Sequence, residues 1–277
     1  MQSKTMRINR KGDLLYLTFP AFSACPGVRH AFTTRFGGAS TGEFSSMNMS
    51  FTRGDARENV LKNYETICRA IGVDEHKLVL SHQTHTKNLR AVTADDAGKG
   101  IFRERDYEDV DGLMTDVPGL CLVTQYADCT PLFFCDPVKR VVALSHSGWR
   151  GTVLQIGKET VIAMGQRYGC RPENILAGIG PSIGPCCYEV DDPVVRAFSQ
   201  SPGLSLCAIF REKENGKYWC NLWEANRQIL LSAGILPEHL SCADLCTNCH
   251  PDWFFSHRFT GGKRGNLAAL IALEETP

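Results

Sequence analysis

The chain has 277 residues, enough for one large domain or two small ones. Hydrophobic residues make up 43% and charged residues 22%, the balance of a soluble globular protein with a sizeable core. Thirty basic residues match thirty acidic ones, so no whole-molecule field draws the chain to nucleic acid or to an anionic membrane surface.

The opening segment, MQSKTMRINRKGDLLYLTFP, has basic residues but no apolar stretch followed by a small-residue cleavage site, and no run is long enough to span a bilayer. A cytoplasmic protein is the expectation. Strand-like runs then cover 14–19 and 30–34. Asp55-Ala56-Arg57-Glu58 reads as a capping box, and Val60, Tyr64, Ile67, Cys68 and Ile71 follow at helical spacing until Gly72. Further strands are expected over 77–81, 120–126, 132–135 and 141–146. A helix over 152–168 stops at Gly169. Another over 221–233 puts Leu222, Ile229, Leu230 and Ala233 on one face. A last strand covers 268–273. Strands that do not alternate regularly with helices argue for α+β, or a mixed layered sandwich, over a doubly wound sheet. No repeat, linker or boundary divides the chain, so one domain is expected.

Thirteen cysteines in a long, unexported chain read as reduced thiols, mostly buried as small apolar groups. Near the C-terminus stands Cys246-Thr247-Asn248-Cys249-His250, the spacing at which haem is attached covalently. That attachment belongs outside the cytoplasm, and the segment leads into an aromatic, strand-like Trp253-Phe254-Phe255-Ser256-His257-Arg258, so no haem is expected. A structural zinc on Cys246, Cys249 and His250 needs a fourth ligand, and no second Cys-x-x-Cys supplies one. The expectation there is a turn with packed thiols.

Three segments concentrate metal-ligating or nucleophilic groups, each at the end of an expected strand: Ser81-His82-Gln83-Thr84-His85, Ala127-Asp128-Cys129-Thr130-Pro131 and Ser145-His146-Ser147-Gly148-Trp149-Arg150-Gly151. A rigid strand handing the chain to a loop is where sites gather. Taken singly, each residue also has an ordinary packing or surface role; spacing alone does not bring the three together.

These segments, with Gly180-Pro181-Ser182-Ile183-Gly184-Pro185-Cys186-Cys187-Tyr188-Glu189-Val190 and the run from Cys246 to Arg258, occur in an order that resembles the YfiH-like family. That family was long labelled multicopper polyphenol oxidase, or laccase-domain, and its members are described as purine nucleoside phosphorylases with adenosine deaminase activity. The resemblance runs from about Arg29 to Leu273. It departs where the family has Thr-Gly-Arg before the last strand and this chain has Lys263-Arg264-Gly265-Asn266.

The resemblance implies a layered α/β/β/α sandwich with mixed sheets and one zinc per chain on His85, Cys129 and His146. Two imidazoles, one thiolate and an open fourth position suit a catalytic zinc, which activates water near pH 7 for attack at C6 of a purine. The implied substrates are adenosine, inosine and, further out, guanosine or methylthioadenosine, together with phosphate. Asn48 is expected to contact substrate, with Arg53 a weaker candidate. Arg150, in a loop leading into a helix, is expected to clamp phosphate. His82, Gln83 and Asp128 are expected to act behind the ligands.

Two other readings stay open here. A copper-dependent polyphenol oxidase needs histidines in His-x-His pairs, and the eight histidines here are scattered with none so paired; copper on the His₂Cys group is expected to be adventitious. A metal-free cysteine hydrolase, including peptidoglycan-precursor editing, would use Cys129 as nucleophile with His85 or His146 as base; the fold also resembles that of a bacterial toxin deamidase.

Overall fold

The computed structural model describes residue 3 and residues 5–275. In chain order the strands are β1 (Arg7–Lys11), β2 (Leu14–Thr18), β3 (Val28–Thr33), β4 (Leu78–Leu80), β5 (Leu89–Ala91), β6 (Gly112–Thr115), β7 (Cys121–Tyr126) and β8 (Thr130–Asp136). There follow β9 (Val141–Ser147), β10 (Leu176–Ile179), β11 (Glu189–Val190), β12 (Phe210–Glu212), β13 (Tyr218–Cys220), β14 (Leu240–Cys242) and β15 (Leu267–Leu273). Two six-stranded sheets result, in the orders β1-β2-β3-β15-β7-β4 and β14-β10-β8-β9-β6-β5, with a small sheet β11-β13-β12 beside them. Both large sheets are mixed: β4 runs parallel to β7, and β5 parallel to β6, among antiparallel neighbours.

The long strands read as continuous apolar runs because both of their faces are buried. Along β15, Leu267, Ala269, Ile271 and Leu273 point into the core between the sheets, while Ala268, Leu270 and Ala272 face the Arg57–Ile71 helix. The second sheet behaves alike. Phe133, Cys135, Val142 and Leu144 fill the inter-sheet core, and Leu132, Phe134, Val141 and Ala143 pack under the Ile156–Tyr168 and Leu222–Ser232 helices. Helix, sheet, sheet, helix is the layer order, the α/β/β/α sandwich that the motifs imply.

The seven strands expected between residues 14 and 146 and at 268–273 form. The helix after Asp55 buries Val60, Tyr64, Ile67, Cys68 and Ile71 and stops at Gly72, whose φ of +75° is a left-handed turn that a side chain adopts only with strain. Three local expectations fail. No capping box forms at Asp55: the helix begins on Ala56, and the Asp55 carboxylate instead accepts from Asn48 Nδ2, Asn59 Nδ2 and the Ala56 N–H. The helix expected over 152–168 is two, Trp149–Val153 and Ile156–Tyr168, separated by Gln155 at φ +57°. The aromatic run 253–258 is a turn, not a strand. Phe254 and Phe255 are pulled into the core as anchors, and a short helix, His257–Thr260, begins behind them on Ser256.

Candidate metal centre and arginine-lined cavity

Three neighbouring strand ends build the centre. β4 leaves the first sheet and delivers His85; β7 runs out into Asp128 and Cys129 and returns as β8; β9 carries His146 at its end. The ligand atoms of His85, Cys129 and His146 all lie within 4.8 Å of one another. The two imidazole centroids stand 4.8 Å apart at 60°. His146 is buried, Cys129 half-buried and His85 exposed, so the group opens to solvent from one side only.

One residue that the sequence reading passed over organises this end. Asp111, fully buried beside β6, places Oδ1 2.7 Å from His146 Nδ1. The same carboxylate accepts the N–H groups of Thr84, His85 and Thr86 at 3.0, 3.1 and 2.8 Å, and the Thr86 hydroxyl at 2.9 Å. It therefore fixes the loop of one histidine and the ring of the other. With Nδ1 engaged, His146 presents Nε2 to the centre, the carboxylate–histidine arrangement that supports metal ligands. Burial alone would raise the Asp111 carboxyl, but the His146 bond and the backbone N–H groups outweigh it and hold it down to about 2. Burial alone would pull His146 down, but the Cys129 sulfur and Asp111 outweigh it and lift the imidazole to about 9. At His85, burial and the neighbouring His146 both lower the imidazole.

The backbone is bent to make this arrangement. His85 sits at φ +66° and Asp128 at φ +87°, left-handed conformations that cost a non-glycine residue of order 1–3 kcal/mol. The Asp128 carboxylate holds its turn by accepting the Thr247 hydroxyl at 2.6 Å and the Arg258 N–H at 2.7 Å. Gln83 ties its own loop to β7, donating to Gln125 O and accepting from Gln125 N, both at 2.7 Å. Gly148 has no freedom to carry a side chain: a Cβ there would stand 2.6 Å from His85 Nδ1 and 3.2 Å from Cys129 Sγ.

The centre lines a cavity of about 340 Å³, within the range of small-molecule sites. The same cavity is also lined by Arg53, Arg105 and Arg264 together with Thr52, Gln125 and Asn266. Arg264 is buried, and its hydrogen bonds go to neutral acceptors: Gly265 O, Asn266 Oδ1 and His257 Nδ1. Its Nε has no partner among the described residues. Burial first, then Arg53, lowers the guanidinium to about 10, which leaves it a cation at neutral pH. Arg105 donates Nη1 to Ser81 O, another neutral acceptor.

The other expected residues fall behind or beside this cavity. Asn48 is fully buried; its amide donates to Ser50 O and Asp55 and accepts the N–H groups of Ser50 and Asn266. It positions Asn266, which lines the cavity. Arg150 is exposed and lies over the Trp149 ring at 4.3 Å, outside the lining but close enough to His85 to push that imidazole down. His82 lines the cavity and accepts the Asp109 N–H at 3.3 Å. The 178–184 loop supports the centre from behind, with the Ile183 N–H donating to Asp128 O at 2.9 Å.

A four-layer mixed sandwich thus carries a His₂Cys group that could hold a metal ion, on the lining of a cavity that three arginines share. The chain belongs to the family described as multi-copper polyphenol oxidoreductase laccase, whose model matches residues 29–274. Purine nucleoside phosphorylase YlmD of Bacillus subtilis (strain 168) is 39% identical over 248 residues, 88% of each chain. Adenosine deaminase RL5, from an unknown prokaryotic organism, is 34% identical over 86% of this chain and 91% of its own. The crystal structure of the hypothetical protein YfiH from Bacillus licheniformis superposes with a TM-score of 0.91 at 36% identity, covering 97% of this chain and 99% of that one.

Proposed function

We propose that this chain, acting over residues 1–277 as one catalytic domain, is a zinc-dependent purine nucleoside phosphorylase that also deaminates adenosine. The observation that carries the reading is the shared cavity: a three-ligand N/S group and arginines whose hydrogen bonds go to neutral acceptors line the same space. The relatives named purine nucleoside phosphorylase and adenosine deaminase support both activities.

His85, Cys129 and His146 fit a zinc ion by donor type and number, and the two sides closed off by Gly148 and Asp111 leave the cavity as the open direction. Zinc held there supplies Lewis acidity and activates water for attack near pH 7. Asp111 keeps His146 in the tautomer that offers Nε2 and keeps the His85 loop in register. Arg264, with Arg53 and Arg105, binds phosphate through charge-assisted hydrogen bonds from the cavity lining. Asn266, held by Asn48, and Gln125 offer amide donors and acceptors to the nucleoside. Arg150, near His85 at the surface, favours the approach of the anionic co-substrate. Copper on the same three ligands is an adventitious occupant. The reduced state of the Cys129 sulfur that the site needs suits the cytoplasm; among the described residues no helix is long and apolar enough to cross a membrane.

Purified zinc-replete protein given inosine or adenosine with phosphate should release free base and ribose 1-phosphate. Adenosine without phosphate should still yield inosine and ammonia. Protein that leaves both nucleosides untouched under all these conditions would sink the reading. Oxygen uptake with phenols would point to the copper oxidase, and activity that survives chelation but not thiol alkylation to the cysteine hydrolase.

A further inference from the structure

Four cysteines that take no part in the cavity meet at the surface. The Sγ atoms of Cys186, Cys187, Cys246 and Cys249 all lie within 4.8 Å of one another. Cys249 Sγ stands 3.4 Å from both Cys186 Sγ and Cys187 Sγ. A disulfide would bring two sulfurs to about 2.05 Å. Four thiolates around a tetrahedral zinc, at Zn–S of about 2.3 Å, are separated by roughly 3.8 Å along each edge. The observed spacings bracket the second geometry.

The surrounding backbone is arranged to bring these sulfurs together. Ser182 and Cys246 form a parallel bridge, with the Thr247 N–H donating to Ser182 O at 3.0 Å and the Ser182 N–H to Leu245 O at 3.2 Å. Beyond that bridge the chain turns on Gly184, whose carbonyl accepts the N–H groups of both Cys187 and Tyr188 at 3.0 Å. The turn aims two adjacent cysteines at the Cys246-x-x-Cys249 pair. The Gly184 N–H donates to Cys246 Sγ at 3.2 Å, a bond that strengthens when the sulfur carries charge. A Cβ on Gly184 would strike Trp223 at 2.7 Å and press Cys246 Cβ at 3.2 Å, so this close approach requires glycine.

We infer that Cys186, Cys187, Cys246 and Cys249 form a second metal site, a closed four-thiolate centre for zinc that is structural rather than catalytic. Four soft ligands with no carboxylate and no imidazole select zinc over magnesium, calcium or manganese, and four protein ligands leave no position for substrate. The two strands of chain that it joins are the ones that grip the catalytic loop: Ile183 holds Asp128 O, while Thr247 and Arg258 hold the Asp128 carboxylate, one residue before Cys129. The centre thus clamps the support of the active-site thiolate from outside.

Metal analysis of the reduced full-length protein tests this. It should contain a second equivalent of zinc beyond that on the His₂Cys group. Cys129→Ala should retain the second equivalent and lose the first; the double variant Cys186→Ser/Cys249→Ser should do the reverse. Cobalt(II) loaded into Cys129→Ala should give tetrahedral absorption with strong sulfur-to-cobalt charge transfer, a signature of this centre alone. A single equivalent in the wild type with no such band in cobalt-loaded Cys129→Ala overturns the inference, as does a disulfide among these four cysteines in freshly isolated protein. If the double variant fails to fold, the wild-type count and the cobalt spectrum decide. Nucleoside turnover is scored separately, so the loss of either conclusion leaves the other standing.

Discussion

The two polar groups that line the cavity are built on opposite rules. At the metal group the supporting carboxylates are saturated: Asp111 takes five donors, Asp128 is held by Thr247 and Arg258, and Gly148 closes the remaining space. At the arginine group Arg264 and Arg105 donate to neutral acceptors, and Arg264 keeps a buried nitrogen with no partner among the described residues. Saturation fixes ligands in advance of a cation, while an unspent buried charge is costly until an anion arrives. On the proposed function the difference separates the two chemistries: what both reactions share is assigned to the first group, and what only phosphorolysis needs to the second.

The largest test removes a ligand. Cys129→Ala should lose the zinc equivalent of the His₂Cys group and both activities, because three protein ligands leave little redundancy; metal content and product analysis read it. Asp111→Asn keeps the shape but removes the charge behind His146. Zinc affinity should fall about 10–100-fold, with deamination and phosphorolysis declining together in a competition titration at fixed free zinc. Arg264→Ala should instead split them. Phosphorolysis should drop roughly ten- to a hundredfold, the equivalent of about 1.5–3 kcal/mol for a charge-assisted contact, while deamination without phosphate persists. Equal losses from Arg264→Ala would erase the contrast between the two groups.

A pH series on metal-stripped protein sharpens the contrast further. His146 is lifted to about 9, so the stability it contributes is full below pH 6.5 and is lost as pH rises through about 9. Asp111 is held near 2, so its contribution is present above the ordinary carboxylate range and is lost as pH falls through about 2. The melting temperature of the stripped protein should therefore fall between pH 6.5 and 9. Zinc should reverse that fall, since it takes the place of the proton on His146. The smallest effect is expected from Arg150→Ala. An exposed cation contributes about 0.2–1 kcal/mol, visible as a modest change in the phosphate KM that fades with added salt.

Doubly buried strands such as β8, β9 and β15 leave a local mark, an unbroken apolar run, and His85, Cys129 and His146 mark three reactive segments at or just beyond strand ends; that the three converge was implied only by the family resemblance. Asp111 left no such mark. It stands last in the acid-rich run Asp106-Tyr107-Glu108-Asp109-Val110-Asp111, and its importance comes from folding β6 against β9, which no spacing discloses. Arg105, in Arg103-Glu104-Arg105, reads as part of a solvated charge run until the fold turns it inward. Arg264 was visible as a departure from the family pattern, but its place in the wall depends on the loop entering β15. The aromatic run 253–258 misled for a general reason: anchors of a buried turn and residues of a strand are both apolar and close together.

The position of β15 has a further consequence, for how the chain reaches this state. Its residues 267–273 lie in the middle of the first sheet, between β3 and β7, and on the β3 side pair with residues 28–32, far away in the sequence. Such pairings close very long loops and slow folding. A nascent chain that has not yet exposed residue 273 to its surroundings holds an open seam along β3 and β7, and an unpaired seam of this kind is a template for aggregation. Arg264 and Asn266, immediately before that strand, reach the cavity in the same event. Assembly of the core and assembly of the arginine wall are therefore a single late step, and a chain stopped short of it has neither.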